Sequence, residues 1–198
     1  MRLLLGAALS AVLVLTGCGG PGAGDVHACS PVRVPVTELG NGATDFVQLG
    51  VPKPEGWERS TKLDSRVIRF AMFNKALSEQ GFAPNAVVTL ESLPSGSGSA
   101  GEILDRQRDQ LQNKLGATEL NAQSGTQCGF PAETITYTAP PTGKQPAHHS
   151  TVLCVVAEVD AKTYLATITI GTVDPKNATY ESDSTQILKG FQVLATRH

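Results

Sequence analysis

The chain has 198 residues, of which 40% are hydrophobic and 17% are charged, and its formal net charge is −2 at pH 7. Nucleic-acid binding needs a basic stripe or patch, so this near-neutral balance argues against it. When the N-terminal segment described next is set aside, about 160–170 residues remain, which is enough for one domain with its own core.

The first eighteen residues have the pattern of an export signal. Arg2 supplies a positive charge, residues 3–15 form an apolar stretch, and Thr16 and Gly17 lead into Cys18. About thirteen apolar residues are too few to cross a bilayer of about 30 Å as a helix. The segment resembles the lipobox of bacterial lipoproteins, which implies a diacylglycerol on the Cys18 thiol. The alternative is an ordinary secretory signal in which Cys18 is incidental.

This resemblance sets the expected domain organisation. Residues 1–17 would be a signal peptide, and residues 18–40 would be a lipidated N-terminus with a flexible, glycine-rich tether. Residues 41–198 would form a single globular domain. Two or more acyl chains make membrane anchoring stable. We therefore expect the membrane as a partner, through the diacylglycerol on Cys18, and a location on the outer face of the plasma membrane. Whether some molecules are shed stays open.

Three further cysteines remain, Cys29, Cys128 and Cys154. Export permits disulfides, and we predict a Cys128–Cys154 bridge because the segments that carry these residues read as neighbours across one hairpin. Cys29 would then be the odd thiol, unless it reaches back to the body. Three free or buried cysteines are the other alternative. A zinc site is not expected, since no C-x₂-C spacing occurs.

The chain as far as residue 93 predicts three short strands, at 44–52, 66–73 and 85–93, each bounded by Gly, Pro or Asn. A turn after the first strand carries Trp57. The period then changes. Ser99 and Glu102 form a capping box, and an amphipathic helix follows that ends at Gly116.

Strands return after this helix. Residues 132–138 and 151–159 would form a hairpin around a proline-rich loop, and 164–172 would add a third strand. In that strand apolar residues alternate with threonines, which favours an antiparallel sheet covered on one side. Asp174 and Pro175 would begin a final helix as its N-cap and first residue.

The predicted order is β-β-β-α-β-β-β-α. It lacks strict β-α alternation and therefore favours the α+β class. We expect a mostly antiparallel sheet of about six strands, with two main helices packed on it.

Several short motifs in this order resemble the LpqN/LpqT family of mycobacterial and related actinobacterial lipoproteins. They lie at residues 51–57, 129–132, 164–167 and 187–191, and the likeness covers about residues 40–195. The resemblance implies a sandwich of the Mog1/PsbP type that is anchored in the cell envelope. It also implies an association with envelope biogenesis and trehalose-glycolipid handling. The family brings no catalytic motif to transfer.

The sequence offers little for catalysis, so we expect a protein that is not an enzyme and has no cofactor. No G-x-S-x-G occurs, and His148 and His149 would point to opposite faces of a strand. Trp57 has two interpretations, the wall of a groove for sugar or acyl chains or an anchor in the core.

The expected function is that of a binding module for an envelope lipid or glycolipid, or for a protein that handles one. Such a module should show an apolar cavity near Trp57 or between helix and sheet. One alternative is a protein-interaction or structural accessory that uses an exposed sheet face or the loop around Pro140 and Pro141. A second is an unrecognised hydrolase.

Overall fold

The computed structural model describes residues 29–40 and 46–196. Cys18 and the predicted signal peptide lie outside these residues. The two helices are α1 (Ala100–Gln110) and α2 (Ala178–Lys189). The ten strands are, in chain order, β1 (Val36–Leu39), β2 (Val47–Pro52), β3 (Glu58–Ser60), β4 (Ile68–Phe73), β5 (Asn85–Leu93), β6 (Thr118–Gln127), β7 (Phe130–Ala139), β8 (His148–Val159), β9 (Lys162–Thr172) and β10 (Gln192–Ala195).

The described strands form two sheets. Seven strands lie in the order β3-β4-β5-β9-β8-β7-β6, and three lie in the order β1-β2-β10. Every pairing in both sheets is antiparallel. The predicted α+β class is confirmed, with more strands than the six expected.

Strand β9 shows how the core divides. Tyr164, Ile168 and Ile170 face the three-stranded sheet and α2, in a cluster that also contains Trp57. Leu165 points the other way, into a second cluster. The strand alternates as predicted, but coverage on one side was wrong, because α1 packs against part of the second face.

Helix α1 begins as the sequence predicts. The Ser99 side chain accepts from the Glu102 backbone amide, while the Glu102 carboxylate accepts from the Ser99 amide at 2.7 Å. A π-helical turn, Leu111–Leu115, extends the helix, and Gly116 closes it in the left-handed conformation. The apolar side of the helix contributes Ile103 and Leu104 to the core, where both are buried.

Helix α2 begins later than predicted. Asn177, rather than Asp174, is its N-cap, and the Asn177 side chain accepts from the backbone amides of Thr179 and Tyr180. Asp174 instead accepts from the Lys176 amide at 3.2 Å. This local contact closes a turn ahead of the helix, so Asp174 does not cap it.

Four strands, β1, β3, β6 and β10, were not predicted from the sequence. Strand β1 matters most for the domain limits, since it lies within the predicted tether at 18–40 and pairs with β2. The folded part therefore begins before residue 41. Strand β6 is exposed along nearly its whole length and has no apolar alternation.

The disulfide joins Cys29 to Cys128, so the predicted Cys128–Cys154 bridge was wrong. Cys128 lies in the β6–β7 turn, where its Sγ contacts the backbone of Phe191 and Val193. Cys154 is a buried free thiol in the second cluster, against which α1 packs, on the other face of the sheet. Although β7 and β8 are neighbours in the sheet, the side chains of Cys128 and Cys154 do not lie on the same face of it.

Candidate functional site

Trp57 is part of the core and does not line an open groove. Its side chain is 2% exposed, and its Nε1–H donates to Oδ2 of Asp183 at 2.8 Å. An indole enclosed in this way has no free ring face for a ligand. The ligand-wall interpretation of Trp57 was therefore wrong, and the core-anchor alternative describes its position.

The two adjacent histidines have separate surroundings. The His148 ring lies 4.5 Å from the Phe82 ring, centroid to centroid, and its Nδ1 is 3.0 Å from the Pro146 carbonyl oxygen. His149 is exposed. In residues 29–40 and 46–196, no group of three or more His, Cys, Asp or Glu side chains could hold a metal ion.

A groove of about 300 Å³ lies where the edge of the small sheet approaches the β3–β4 edge of the large sheet. Three of its lining residues are cationic, namely Lys53, Arg59 and Arg69, and one is acidic, Glu38. Ligand pockets generally start near this volume. The groove can hold a group of head-group size.

Arg59 is held rigidly in the groove. Its guanidinium lies 4.5 Å from the Phe70 ring centroid, a cation–π contact, and its Nη1 donates to the Ala71 carbonyl at 3.1 Å. Its Nη2 donates to both Asp64 carboxylate oxygens, at 2.6 and 2.8 Å. Because the planar fork is fixed before a ligand arrives, little further entropy is lost on binding.

The floor and rim of the groove differ in character. Phe70 and Leu39 are buried and provide an apolar floor. Lys53 lies at the rim, exposed, with its Nζ donating to the Trp57 carbonyl at 3.2 Å. This combination suits an amphiphile that carries negative charge or many hydroxyl groups.

Sequence reasoning missed this groove because its residues come from β1, β3, β4 and the end of β2. Arg59 and Arg69 are ten positions apart and look like ordinary polar strand positions. A weak signal was present, since Arg69 precedes the buried Phe70 within an otherwise apolar strand.

A second groove, of about 210 Å³, lies between the C-terminal end of α2 and strands β6 to β8. Glutamine, serine and threonine side chains make up much of its wall, with Leu153 and Leu188 as apolar members. Its position matches the helix–sheet cavity expected for a lipid binder. Its wall is of mixed character, so it is not the purely apolar cavity that was expected.

The buried carboxylate of Glu133 lies on the face of the large sheet that α1 covers, and it is paired with a residue of that helix. Glu133 is 3% exposed, and its Oε2 accepts from Arg108 Nη1 at 2.6 Å. The hydrogen bond with Glu133 raises the pKa of Arg108, and Asp105 adds to this effect. The pair ties α1 to the sheet, and both oxygens of Glu133 accept from Arg108.

Comparison with known proteins places the chain in a family. Residues 31–194 match the Lpp-LpqN family, described as "Probable lipoprotein LpqN". This chain belongs to that family of lipoproteins. The predicted LpqN resemblance is thereby confirmed. No curated protein matches the chain.

Several solved structures resemble this chain at low sequence identity. LpqN of Mycobacterium tuberculosis, whose structure is described as involved in cell envelope biogenesis, is 14% identical, with a TM-score of 0.63 over 82% of this chain and 92% of that one. The Saccharomyces cerevisiae Ran-binding protein Mog1p is 15% identical, with a TM-score of 0.46 over 82% and 97%. A Pseudomonas aeruginosa protein of unknown function, PA94, is 14% identical, with a TM-score of 0.47 over 82% and 98%.

No helix among the described residues is long and apolar enough to cross a membrane.

Proposed function

We propose that this protein is a lipid-anchored binding module of the cell envelope. Acylated Cys18 would hold it on the outer face of the plasma membrane, and the cationic groove would take the head group of an envelope lipid or glycolipid. Membership of a lipoprotein family supports the anchor. The relative in M. tuberculosis, described as involved in cell envelope biogenesis, supports the setting.

The groove carries the ligand part of the proposal. The charge of Arg59 is paired with Asp64, and the remaining cations, Lys53 and Arg69, outnumber Glu38 at the lining, so the site favours an anionic or hydroxyl-rich head group. Its volume of about 300 Å³ fits a head group, while the acyl chains of such a lipid would stay in the bilayer. The module would therefore present or recognise lipids at the membrane surface without extracting them.

The proposed role is binding rather than catalysis. Of the two histidines in the described residues, His148 lies against Phe82 and Pro146 and His149 is exposed. The buried thiol of Cys154 is a poor nucleophile, because burial, with a smaller effect from the Glu133 charge, raises its pKa to about 12. The groove itself holds arginine, lysine and one carboxylate, which can bind and orient a ligand.

Native mass spectrometry of the mature protein with an extract of envelope lipids tests this proposal. We expect the wild type to retain lipid. The Lys53→Gln variant should retain at least about fivefold less lipid, because it loses one charge-assisted contact. Lys144→Gln, which changes an exposed lysine in the loop between β7 and β8, is the matched control.

Retention by the Lys144 variant should equal that of the wild type. Equal retention by both variants would place the ligand outside the groove. If no lipid is retained at any concentration, the binding role itself is wrong.

A further inference from the structure

Two of the three large hydrophobic side chains that are exposed in the described residues lie in one loop. This loop, residues 61–67, connects β3 to β4, and Leu63 and Val67 are 51% and 42% exposed in it. Lys62 and Arg66, both exposed, flank them. Aliphatic tips between cations are typical of segments that contact an anionic bilayer surface.

The 61–67 loop is held in one shape by its own contacts. Asp64 is paired with Arg59 of β3, and the Ser65 hydroxyl accepts from the amides of Val67 and Ile68 at 3.2 and 2.9 Å. Because Asp64 is neutralised by Arg59, the charges of Lys62 and Arg66 remain uncompensated within the loop. The exposed leucine and valine are therefore presented by a fixed scaffold with two excess positive charges.

The loop lies at the end of the seven-stranded sheet where the N-terminal segment is attached. Cys29 is bonded to Cys128 in the β6–β7 turn, which projects from that end. Val67 accepts from the Leu90 amide at 3.0 Å. From that point one row of paired residues crosses the sheet to β7, through Leu90, Ala166, Val155 and Ala132. The loop and the Cys128 turn both lie beyond this row, on the same side of it.

The anchor is close to this end in chain length. Ten residues lie between Cys18 and Cys29, and the eleven residue steps from one to the other span about 40 Å at most when fully extended. The end of the sheet that carries Cys128 therefore stays near the bilayer. In the β8–β9 turn at the same end, Asp160 and Lys162 offset each other, and exposed Glu91 and Glu158 also lie beyond the row. The positive charge that faces the bilayer is therefore local to the 61–67 loop.

We propose that the 61–67 loop docks on the anionic membrane surface, with Leu63 and Val67 inserted between head groups and with Lys62 and Arg66 on lipid phosphates. This docking rests on the proposed anchor at Cys18. It sets the orientation of the domain and places the groove, whose Arg59 is bonded to Asp64 of the loop, at the level of the head groups. Each Lys or Arg near an anionic surface strengthens association about fivefold, so the contact should weaken with salt.

Fluorescence of a single-site label on the acylated mature protein tests the docking. An environment-sensitive dye is placed on Leu63→Cys, and on Leu115→Cys as the matched control. Leu115 is 43% exposed and ends the π-helical turn before Gly116, which lies near Pro140 at the opposite end of the sheet. The native cysteines do not compete, since Cys29 and Cys128 are bonded and Cys154 is buried.

The proteins are reconstituted into phosphatidylcholine vesicles with or without about 30 mol% phosphatidylglycerol, a level that gives an anionic surface. On anionic vesicles we expect the dye at position 63 to brighten at least about twofold and to be quenched by lipids with a spin label near the head group. The dye at position 115 should remain in water. A Lys62→Gln, Arg66→Gln variant should lose most of the brightening at position 63.

Flotation of the vesicles separates the two proposals. Protein that floats while both dyes report water overturns the docking and leaves the anchor intact. Protein that does not float overturns the anchor and the docking that rests on it. If the dye at position 63 is shielded equally without vesicles, a second copy of the chain covers the loop, and the membrane assignment is wrong.

Discussion

The indole of Trp57 donates a buried hydrogen bond of 2.8 Å to the carboxylate of Asp183, and this bond joins the turn after β2 to helix α2. The two residues are 126 positions apart, and both are nearly inaccessible to solvent. The bond therefore fixes α2 to the turn that follows β2, the central strand of the three-stranded sheet. A hydrogen bond to a charged, buried partner is among the stronger ones in proteins.

A double-mutant cycle with Trp57→Phe and Asp183→Ala should measure this bond. We expect a coupling energy of about 2 kcal/mol in urea unfolding, since hydrogen bonds to charged groups contribute about 1.5–3 kcal/mol. The cycle removes the cost of the lost ring volume, which each single variant includes. A coupling near zero would mean that Asp183 is satisfied by another group when the indole is absent.

The disulfide should contribute substantially to stability. It closes a loop with a sequence separation of 99, and such bridges typically stabilise by about 2–4 kcal/mol. We expect Cys29→Ser to lower the free energy of unfolding by that amount. Cys154→Ala is the control, and it should cost less, since it removes one buried sulfur.

Peptide mapping under non-reducing conditions checks the pairing directly. It should yield a linked pair containing Cys29 and Cys128, and Cys154 should react with iodoacetamide after denaturation. A linked peptide containing Cys128 and Cys154 would contradict the structure.

Titration of Glu102 should reveal the capping box at the start of α1. The backbone hydrogen bond from Ser99, and then its side-chain hydrogen bond, lower the pKa of Glu102 below its ordinary 4.5. A carboxyl whose pKa is lower in the folded state stabilises the fold above its unfolded pKa, and this stabilisation is lost as the pH falls through the folded value.

Carboxyl NMR shifts of Glu102 as a function of pH provide the measurement. We expect a midpoint below 4.5 in the wild type and a return towards that value in Glu102 of the Ser99→Ala variant. A wild-type midpoint at or above 4.5 would show that the Glu102 carboxylate does not accept hydrogen bonds from Ser99 in solution.

The Arg108–Glu133 pair should respond asymmetrically to truncation. Arg108→Ala leaves a carboxylate that is 3% exposed without its cation, and we expect a loss of about 2 kcal/mol after allowing for the partial exposure of Arg108. Glu133→Leu removes the buried charge and should cost less, because Arg108 retains Asp105 and water. Urea unfolding of both variants measures the two losses in the free energy of unfolding, and equal losses would contradict the expected asymmetry.

Elements with strong local signals were predictable from sequence. The box of Ser99 and Glu102, the left-handed Gly116 and the alternation along β9 depend on neighbours within a few residues, so their chemistry is readable in the chain itself. The predicted strand at 85–93 agrees with β5 in both limits.

Elements defined by tertiary contacts were not predictable. Strand β6 is polar on both faces because it is a sheet edge exposed to water, and its sequence therefore lacks a hydrophobic period. The start of the final helix was predicted too early because Asp174 and Pro175 have the sequence pattern of an N-cap and first helical residue, whereas Asn177 is the N-cap. The disulfide depends on which face each cysteine occupies, which spacing along the chain does not reveal.

The candidate groove was unpredictable for the same reason. Its cations lie on different strands, and Arg59 gains its orientation from Phe70 and from Asp64 in the next loop. Trp57 was left with two interpretations, a groove wall and a core anchor. Its hydrogen bond to Asp183 belongs to the core, and only the tertiary structure distinguishes the two.

Attachment of fatty acid to Cys18 is the measurement that tests the central claim most directly. Cells that produce the wild type or Cys18→Ala are grown with labelled palmitate, and the protein is isolated from membrane and soluble fractions. We predict label in the wild type, none in Cys18→Ala, and a shift of that variant away from the membrane. An unlabelled wild type, together with a Cys18→Ala variant that fractionates unchanged, would contradict the lipid anchor.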